Sequence, residues 1–356
     1  MPSTSGGWIF NPAEHKSRGE SFVLWRLPGI AGIHCIICSS PELFSASLVT
    51  RSTGFVAAPF DADGSDKALF FSGEYYLNPI FADGSVSDFW LNSTSVLIET
   101  AANYKQNVAL CVDEIKKGSF KKAVIARNES WDMPLEFSPL RYFQQLCTAY
   151  PEAFVSLVSS PETGTWTGAT PETLLEVTPE HLKTVALAGT RLKSSSLAWG
   201  EKESEEQAWV LRYITELLKK EGIDIIDVTA RTGISNGPLE HLYNEIKFKK
   251  TGISNSQLAA RVLPALHPTP AVCGLPADSA KRFILENEKF ARSYYSGYLG
   301  PVNSNGNTSL FVNLRCMQIT EQDLIPYAGA GITIDSDPEK EFIETGNKMA
   351  NLRRVL

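Results

Sequence analysis

Several things are scarce in this chain, and each scarcity excludes something. Six cysteines in 356 residues are too few for a disulfide scaffold. Cys35 and Cys38 form a CxxC beside His34, but no second CxxC exists to complete a zinc site. Gly32–Cys38 reads instead as a buried strand with ordinary core thiols. No apolar run approaches membrane-spanning length, and the N-terminus, MPSTSGGWIFNPAEHK, lacks the charged-then-apolar order of a signal peptide. The expectation is a soluble, cytoplasmic protein with no membrane partner. Excess positive charge is missing too: a net charge of −7 argues against nucleic acid as the main partner. Repeats, low-complexity tracts and convincing linkers are absent, so residues 1–356 read as one domain.

What is present is ordinary globular composition, 43% hydrophobic and 21% charged. The first hundred residues carry strand signals, Ser21–Leu27, Ile30–Ser39, Gly54–Pro59 and Ala68–Tyr76, separated by Pro, Gly and Asp-Gly turns. Spacing near 3.6 predicts helices over Val96–Lys117, Pro139–Tyr150, Glu201–Glu221, Gln257–Leu263, Ala277–Lys289 and Pro338–Leu352. Strands are expected at Lys122–Arg127, Phe154–Ser159, Thr165–Gly168, Leu174–Val177, Thr184–Gly189, Tyr294–Val302, Ser309–Ile319 and Asp323–Ile334. No element is assigned between residues 222 and 256. Runs of antiparallel-type strands between isolated helices point to an α+β fold rather than repeated βαβ units.

Two segments look unsuited to packing alone. Leu266–Pro276, LHPTPAVCGLP, sets three prolines beside an imidazole, a rigid loop that is neither helix nor central strand. Tyr327–Ile332, YAGAGI, alternates tiny residues, so a strand backbone there can approach a ligand closely. Together they suggest a small anionic ligand.

Four further elements carry chemistry. On the Glu201–Glu221 helix, Glu206 heads a stripe with Val210, Tyr213 and Leu217, although a glutamate near a helix start is also favoured by the dipole alone. Glu341, Glu344 and Lys348 lie within about 60° of one another on the C-terminal helix, which Asp337 and Pro338 start. They read either as a solvated Glu–Lys pair or as carboxylates turned to the glycine-rich ledge. Two glutamates from different helices, completed by water, suit octahedral Mg²⁺. Lys122 enters an apolar strand, where it either snorkels at the edge or is buried, its pKa falling far enough to make it a general base. Glu172, after Thr170-Pro171, is either a turn residue or an acid kept protonated by an apolar setting.

In this order the segments resemble the chorismate-binding family, and the likeness runs from about Lys122 to the C-terminus. The quoted motifs are Lys122-Ala-Val-Ile-Ala-Arg127, Thr170-Pro-Glu172, Leu187-Ala-Gly-Thr-Arg191, His267-Pro-Thr-Pro-Ala-Val272, Glu288-Lys-Phe-Ala-Arg292, Val312-Asn-Leu-Arg315, Tyr327–Ile332 and Glu344-Thr-Gly-Asn-Lys348. Residues 1–110, β-rich, match no motif. The resemblance implies two large antiparallel sheets packed face to face with outer helices, as in anthranilate synthase component I. Within the family, the His267 loop and Lys122 are similar to those of isochorismate and salicylate synthases, which add water. The loop differs from that of the aminating branch, and no glutaminase-like Gly-x-Cys-x-Gly elbow is present.

That branch implies Mg²⁺-dependent isomerisation of chorismate to isochorismate, with pyruvate elimination to salicylate as the rival outcome. Carried over residue by residue, the resemblance makes Lys122 the base that activates water and Glu172 the acid at the departing C4 hydroxyl. Glu206 and Glu344 would hold Mg²⁺ on the C1 carboxylate, with Glu341 close behind. Arg315, Tyr327 and the Ala328-Gly329-Ala330-Gly331 backbone would take the enolpyruvyl carboxylate. Lys348, Leu187, Ala188, Gly189, Thr190, His241 and His267 would line the rest of the pocket. It also implies a monomer whose partner is the small-molecule substrate. Two departures stand out: Gln207 follows Glu206 where the family often has His, and Ala291 stands where Asp is common.

Overall fold

Residues 7–50, 52–92, 95–192, 199–236 and 239–356 are described by a computed structural model. Their architecture is two ten-stranded sheets, antiparallel throughout, with helices on the outside. In the first sheet the spatial order is Gly274–Leu275, Lys122–Asn128, Asp323–Ile332, Cys316–Ile319, Gly164–Thr170, Phe154–Ser160, Ser21–Arg26, Ile33–Cys38 and Glu74–Leu77. The second sheet has Leu182–Leu192, Thr173–Val177, Thr308–Val312, Tyr298–Val302 and Gly54–Ala58 in succession through its middle. The α+β expectation with two large sheets therefore holds.

The strands lack the in–out alternation of one-faced sheets because both faces are covered. Ser21–Arg26 and Phe154–Ser160 are buried at every position. Between the sheets, Trp25, Phe154 and Trp166 of the first meet Phe55, Phe71 and Phe311 of the second. Phe154 and Phe311 stack with centroids 4.1 Å apart. Outside, Val210, Ile214 and Leu218 of the Glu201–Lys220 helix join Leu258 and Val262 of Asn255–Leu266 on the second sheet. The helices Ala101–Lys116 and Ala277–Asn287 cover the end of the first sheet that holds Lys122.

Several boundaries differ from expectation for local reasons. The helix expected from Val96 starts at Ala101, because Thr100 caps it by accepting from the Asn103 N–H. Ser309–Ile319 is two strands, Thr308–Val312 and Cys316–Ile319, and they belong to different sheets. The unassigned stretch contains three strands, Asp224–Val228, Thr232–Asn236 and Leu239–Lys249. The stripe on the Glu201–Lys220 helix is turned one position from the expected one. Gln207, Val210, Ile214 and Leu218 are buried, whereas Tyr213 and Leu217 are only partly so.

Candidate active site

The Lys122–Asn128 strand and the ledge strand, Asp323–Ile332, pair over Ala123–Asn128. The neighbouring Cys316–Ile319 strand pairs with the ledge strand only as far as Pro326. Beyond that point the YAGAGI backbone has a strand on one edge and the C-terminal helix, Pro338–Arg353, beside it. Lys348 of that helix donates to the Gly329 carbonyl at 2.8 Å. A Cβ at Gly329 would stand 2.9 Å from the Tyr295 hydroxyl oxygen and 3.0 Å from Val124, so the bare ledge is a packing requirement as well.

Glu172 and Arg315 stand at two of the places where the chain passes from one sheet to the other. Glu172 lies between Gly164–Thr170 and Thr173–Val177; Arg315 lies between Thr308–Val312 and Cys316–Ile319. The crossings are bonded together: Val312 N–H donates to the Glu172 carbonyl at 2.9 Å, and Ala169 N–H to the Arg315 carbonyl at 3.0 Å. The Thr170 hydroxyl adds a bond to the Val312 carbonyl at 2.7 Å. Arg315 reaches its place with a left-handed backbone, φ 49°, unusual for a long side chain.

Electrostatics bring Lys122, Glu172 and Arg315 into one neighbourhood. Lys122 is 2% exposed and Glu172 3%. Burial pushes the Glu172 carboxyl up to about 7, against the opposing pull of the Lys122 and Arg315 charges. Burial lowers Arg315 from its usual value, and Glu172 and Glu344 are among the charges that act against this. The Arg315 Nε is sealed from solvent and has no hydrogen-bond acceptor. Such an orphaned donor is what a bound carboxylate would satisfy.

The C-terminal helix supplies Glu341, Glu344 and Lys348. Glu341 is buried at 3%. The Glu344 carboxylate, 41% exposed, pairs with Lys348 at 2.7 Å, so the simple i,i+4 contact exists. The helix is fastened to the Lys122 strand by Arg127, whose Nε donates to the Thr345 hydroxyl at 2.7 Å and whose guanidinium lies 4.1 Å from the Phe342 ring centre. Tyr104, reaching in from the Ala101–Lys116 helix, is fully buried with a hydroxyl that has no partner, under the influence of Glu341 and Glu344. Nothing in the sequence flagged it beyond its place on an apolar helix face.

Other expected site residues fall differently. Tyr327 is a core residue: its ring stacks on Trp166 and Tyr295, and its hydroxyl reaches Gln318 at 3.5 Å. His267 caps the Asn255–Leu266 helix, its Nε2 3.0 Å from the Ser296 carbonyl and its ring against Tyr298; burial pushes its pKa down to about 4. Leu187 is buried, and Gly189, at φ 72°, marks an irregularity in the pairing of Leu182–Leu192 with Leu239–Lys249. The side chains of Ala188, Thr190, Glu206 and His241 lie outside the described residues. Gln207, the departure beside Glu206, is 1% exposed, bonded to Asn244 and 3.5 Å from the Ala186 carbonyl. It docks its helix on the second sheet.

Among the described residues no group of three or more His, Cys, Asp and Glu could hold a metal ion. No helix among them is long and apolar enough to cross a membrane. A cavity of about 700 Å³ is lined by Lys121, Glu205, Trp209, Pro276 and Thr333, neighbours in sequence of Lys122, Glu206 and the ledge. Another, about 870 Å³, takes in Pro171 and Thr173 on either side of Glu172.

Sequence comparison gives the class of protein to which this proline loop, bare ledge and buried acid belong. The chain belongs to the chorismate-binding enzymes, whose family model matches residues 89–356. Over 266 residues it is 27% identical to a putative isochorismate synthase of Aeromonas hydrophila, covering 72% of this chain and 67% of that protein. An isochorismate synthase of Bacillus subtilis is 29% identical over 271 residues, 71% of this chain and 67% of the relative. The matched stretch thus spans about two thirds of either relative. In fold, the menaquinone-specific isochorismate synthase of Escherichia coli superposes with a TM-score of 0.78 at 21% identity, covering 98% of this chain and 91% of that one.

Proposed function

We propose that this protein is a Mg²⁺-dependent isochorismate synthase. The observation that carries the reading is Glu172: a carboxyl poised near neutrality by burial, in the same neighbourhood as Lys122 and Arg315. Isomerisation of chorismate requires water to add at C2, the double bond to shift, and the C4 hydroxyl to leave. A base must take a proton from the incoming water and an acid must give one to the departing oxygen. Lys122 serves as the base and Glu172 as the acid, so the net change is an isomerisation with one water consumed and one released. Each such transfer contributes roughly 10²–10⁴-fold.

Chorismate is a dianion, and burying it requires a cation at each carboxylate. Arg315, with its unused Nε–H, and the ledge backbone take the enolpyruvyl carboxylate. The C1 carboxylate lies toward the C-terminal helix. Glu344, with Glu206 of the Glu201–Lys220 helix, would provide oxygen donors of the type Mg²⁺ accepts, with the buried Glu341 close behind. Bound there, the ion would neutralise the C1 carboxylate. The Glu344–Lys348 pair would then open, leaving Lys348 on the Gly329 carbonyl.

The test is product analysis by HPLC after incubating the protein with chorismate, with and without Mg²⁺, in ammonium-free buffer. A metal-dependent isochorismate peak is expected. Salicylate with pyruvate would make the protein a salicylate synthase, and no conversion would overturn the assignment.

A further inference from the structure

The strand that carries Lys122 is fully paired along one edge and only at its start along the other. Toward the ledge strand it is paired from Ala123 to Asn128. On its other edge Gly274–Leu275 pairs with Lys122 and Ala123, and the Val124 N–H reaches the Cys273 carbonyl at 2.7 Å. There the neighbouring backbone turns away. The next two polar groups on that edge, the Val124 carbonyl and the Ala126 N–H, would be left without a ladder.

Two side chains complete it. Glu288 Oε1 accepts from the Ala126 N–H at 2.8 Å, and Arg292 Nη2 donates to the Val124 carbonyl at 2.6 Å. They are also each other's partners, through Nη2–Oε1 at 2.6 Å and Nε–Oε2 at 2.7 Å. Arg292 Nη1 donates to the Val272 carbonyl at 3.0 Å, at the end of the HPTPAV segment. Both side chains are 3% exposed, and Phe60 covers the guanidinium with its ring centre 4.4 Å away. One buried ion pair therefore stands in for a strand, tying the loop to the Lys122 strand. Phe60, from the part of the chain without motifs, shields it.

Lys122, Val124 and Ala126 share a face and an edge, being two apart. The peptides beside Lys122 are held by Gly274–Leu275, with the Lys121 N–H donating to the Leu275 carbonyl at 2.7 Å, and the ion pair anchors both partners just beyond, at Val124 on the strand and Val272 on the loop. We propose that Glu288 and Arg292 are positioning residues for Lys122, fixing its amine relative to Glu172 across the substrate. The inference rests on the isochorismate synthase reading and adds to it residues that touch neither substrate nor metal.

Arg292→Lys tests it. A lysine keeps the charge and its partner Glu288, but it lacks the planar fork that serves Val124 and Val272 at once. Turnover is measured per chorismate-binding site counted by calorimetry, so that loss of folded protein does not enter. The expected result is a kcat lowered roughly ten- to a hundred-fold with KM within about twofold, since the groups holding the carboxylates are untouched. Hydrogen exchange in a peptide covering residues 120–130 should quicken. Arg292→Gln, which leaves Glu288 buried without a cation, should be worse: what Arg292→Lys recovers over it measures the charge, and what it still lacks against wild type measures the fork. A kcat per site within threefold of wild type, or a raised KM at unchanged kcat, would overturn the proposal. Failure of the wild-type protein to make isochorismate would instead remove the functional reading beneath it.

Discussion

Replacing Glu172 by glutamine probes its carboxyl independently of turnover. In the folded protein burial holds this group up to about 7, against roughly 4.5 for the unfolded chain. Between these values the folded state retains a proton that the unfolded state gives up. Its contribution is fully present below about pH 4.5 and is lost as pH rises through about 7. The difference of about 2.5 units corresponds to about 3 kcal/mol, an upper figure for a single group. Glu172→Gln cannot ionise, so its stability relative to wild type should improve by about that amount between about pH 4 and pH 8. With an unfolding entropy of about 2 cal/mol/K per residue, this corresponds to a relative Tm gain of about 4 °C for a chain of this length. Thermal scans of both proteins at matched pH provide the measurement. A Tm difference that stays flat from pH 4 to pH 8 would refute the argument, because Glu172 would then titrate as it does in the unfolded chain. The same variant should lose roughly 10²–10⁴-fold in kcat.

Other outcomes are expected at neighbouring positions. Lys122→Gln should lower kcat by a similar factor while calorimetry still detects Mg²⁺-dependent chorismate binding; near-normal turnover would remove the base from the scheme. Glu344→Gln should raise the Mg²⁺ concentration for half-maximal activity roughly tenfold or more, and an unchanged requirement would leave Glu344 as no more than the partner of Lys348. Gly329→Val should raise KM and cost about 1–3 kcal/mol of stability, read from KM and Tm together, since its branches would be driven into Tyr295 and Val124.

Much of the site is legible in the sequence because its parts are locally abnormal: prolines crowded beside a histidine, alternating tiny residues, a lysine opening an apolar strand. The C-terminal helix is equally plain, since Asp337 caps it through the Lys340 N–H and Pro338 occupies its first turn. Arg315 illustrates what stays hidden. Val312-Asn-Leu-Arg-Cys316 reads as strand throughout, and no glycine announces the left-handed residue at which the chain changes sheet. The Leu239–Lys249 strand did carry a signal: Leu242, Asn244, Ile246 and Phe248 are buried in strict alternation, but an asparagine in the series obscures it. Asn244 is buried because Gln207 and the Thr229 carbonyl satisfy it. That same contact turns the Glu201–Lys220 helix by one position, a tertiary effect no single-helix pattern contains.

The bonding between the sheet crossings at Glu172 and Arg315 has a thermal consequence. Most enzymes lose their mobile active-site parts at temperatures where the scaffold still stands. Here Glu172 and Arg315 sit on backbone that belongs to both halves of the sandwich, laced by Val312 to Glu172 and Ala169 to Arg315. Neither can drift without parting the stacked Phe154–Phe311 interior behind them. Heat inactivation and global melting should therefore coincide, and a variant that loosens the interior should lose grip on substrate and proton delivery together.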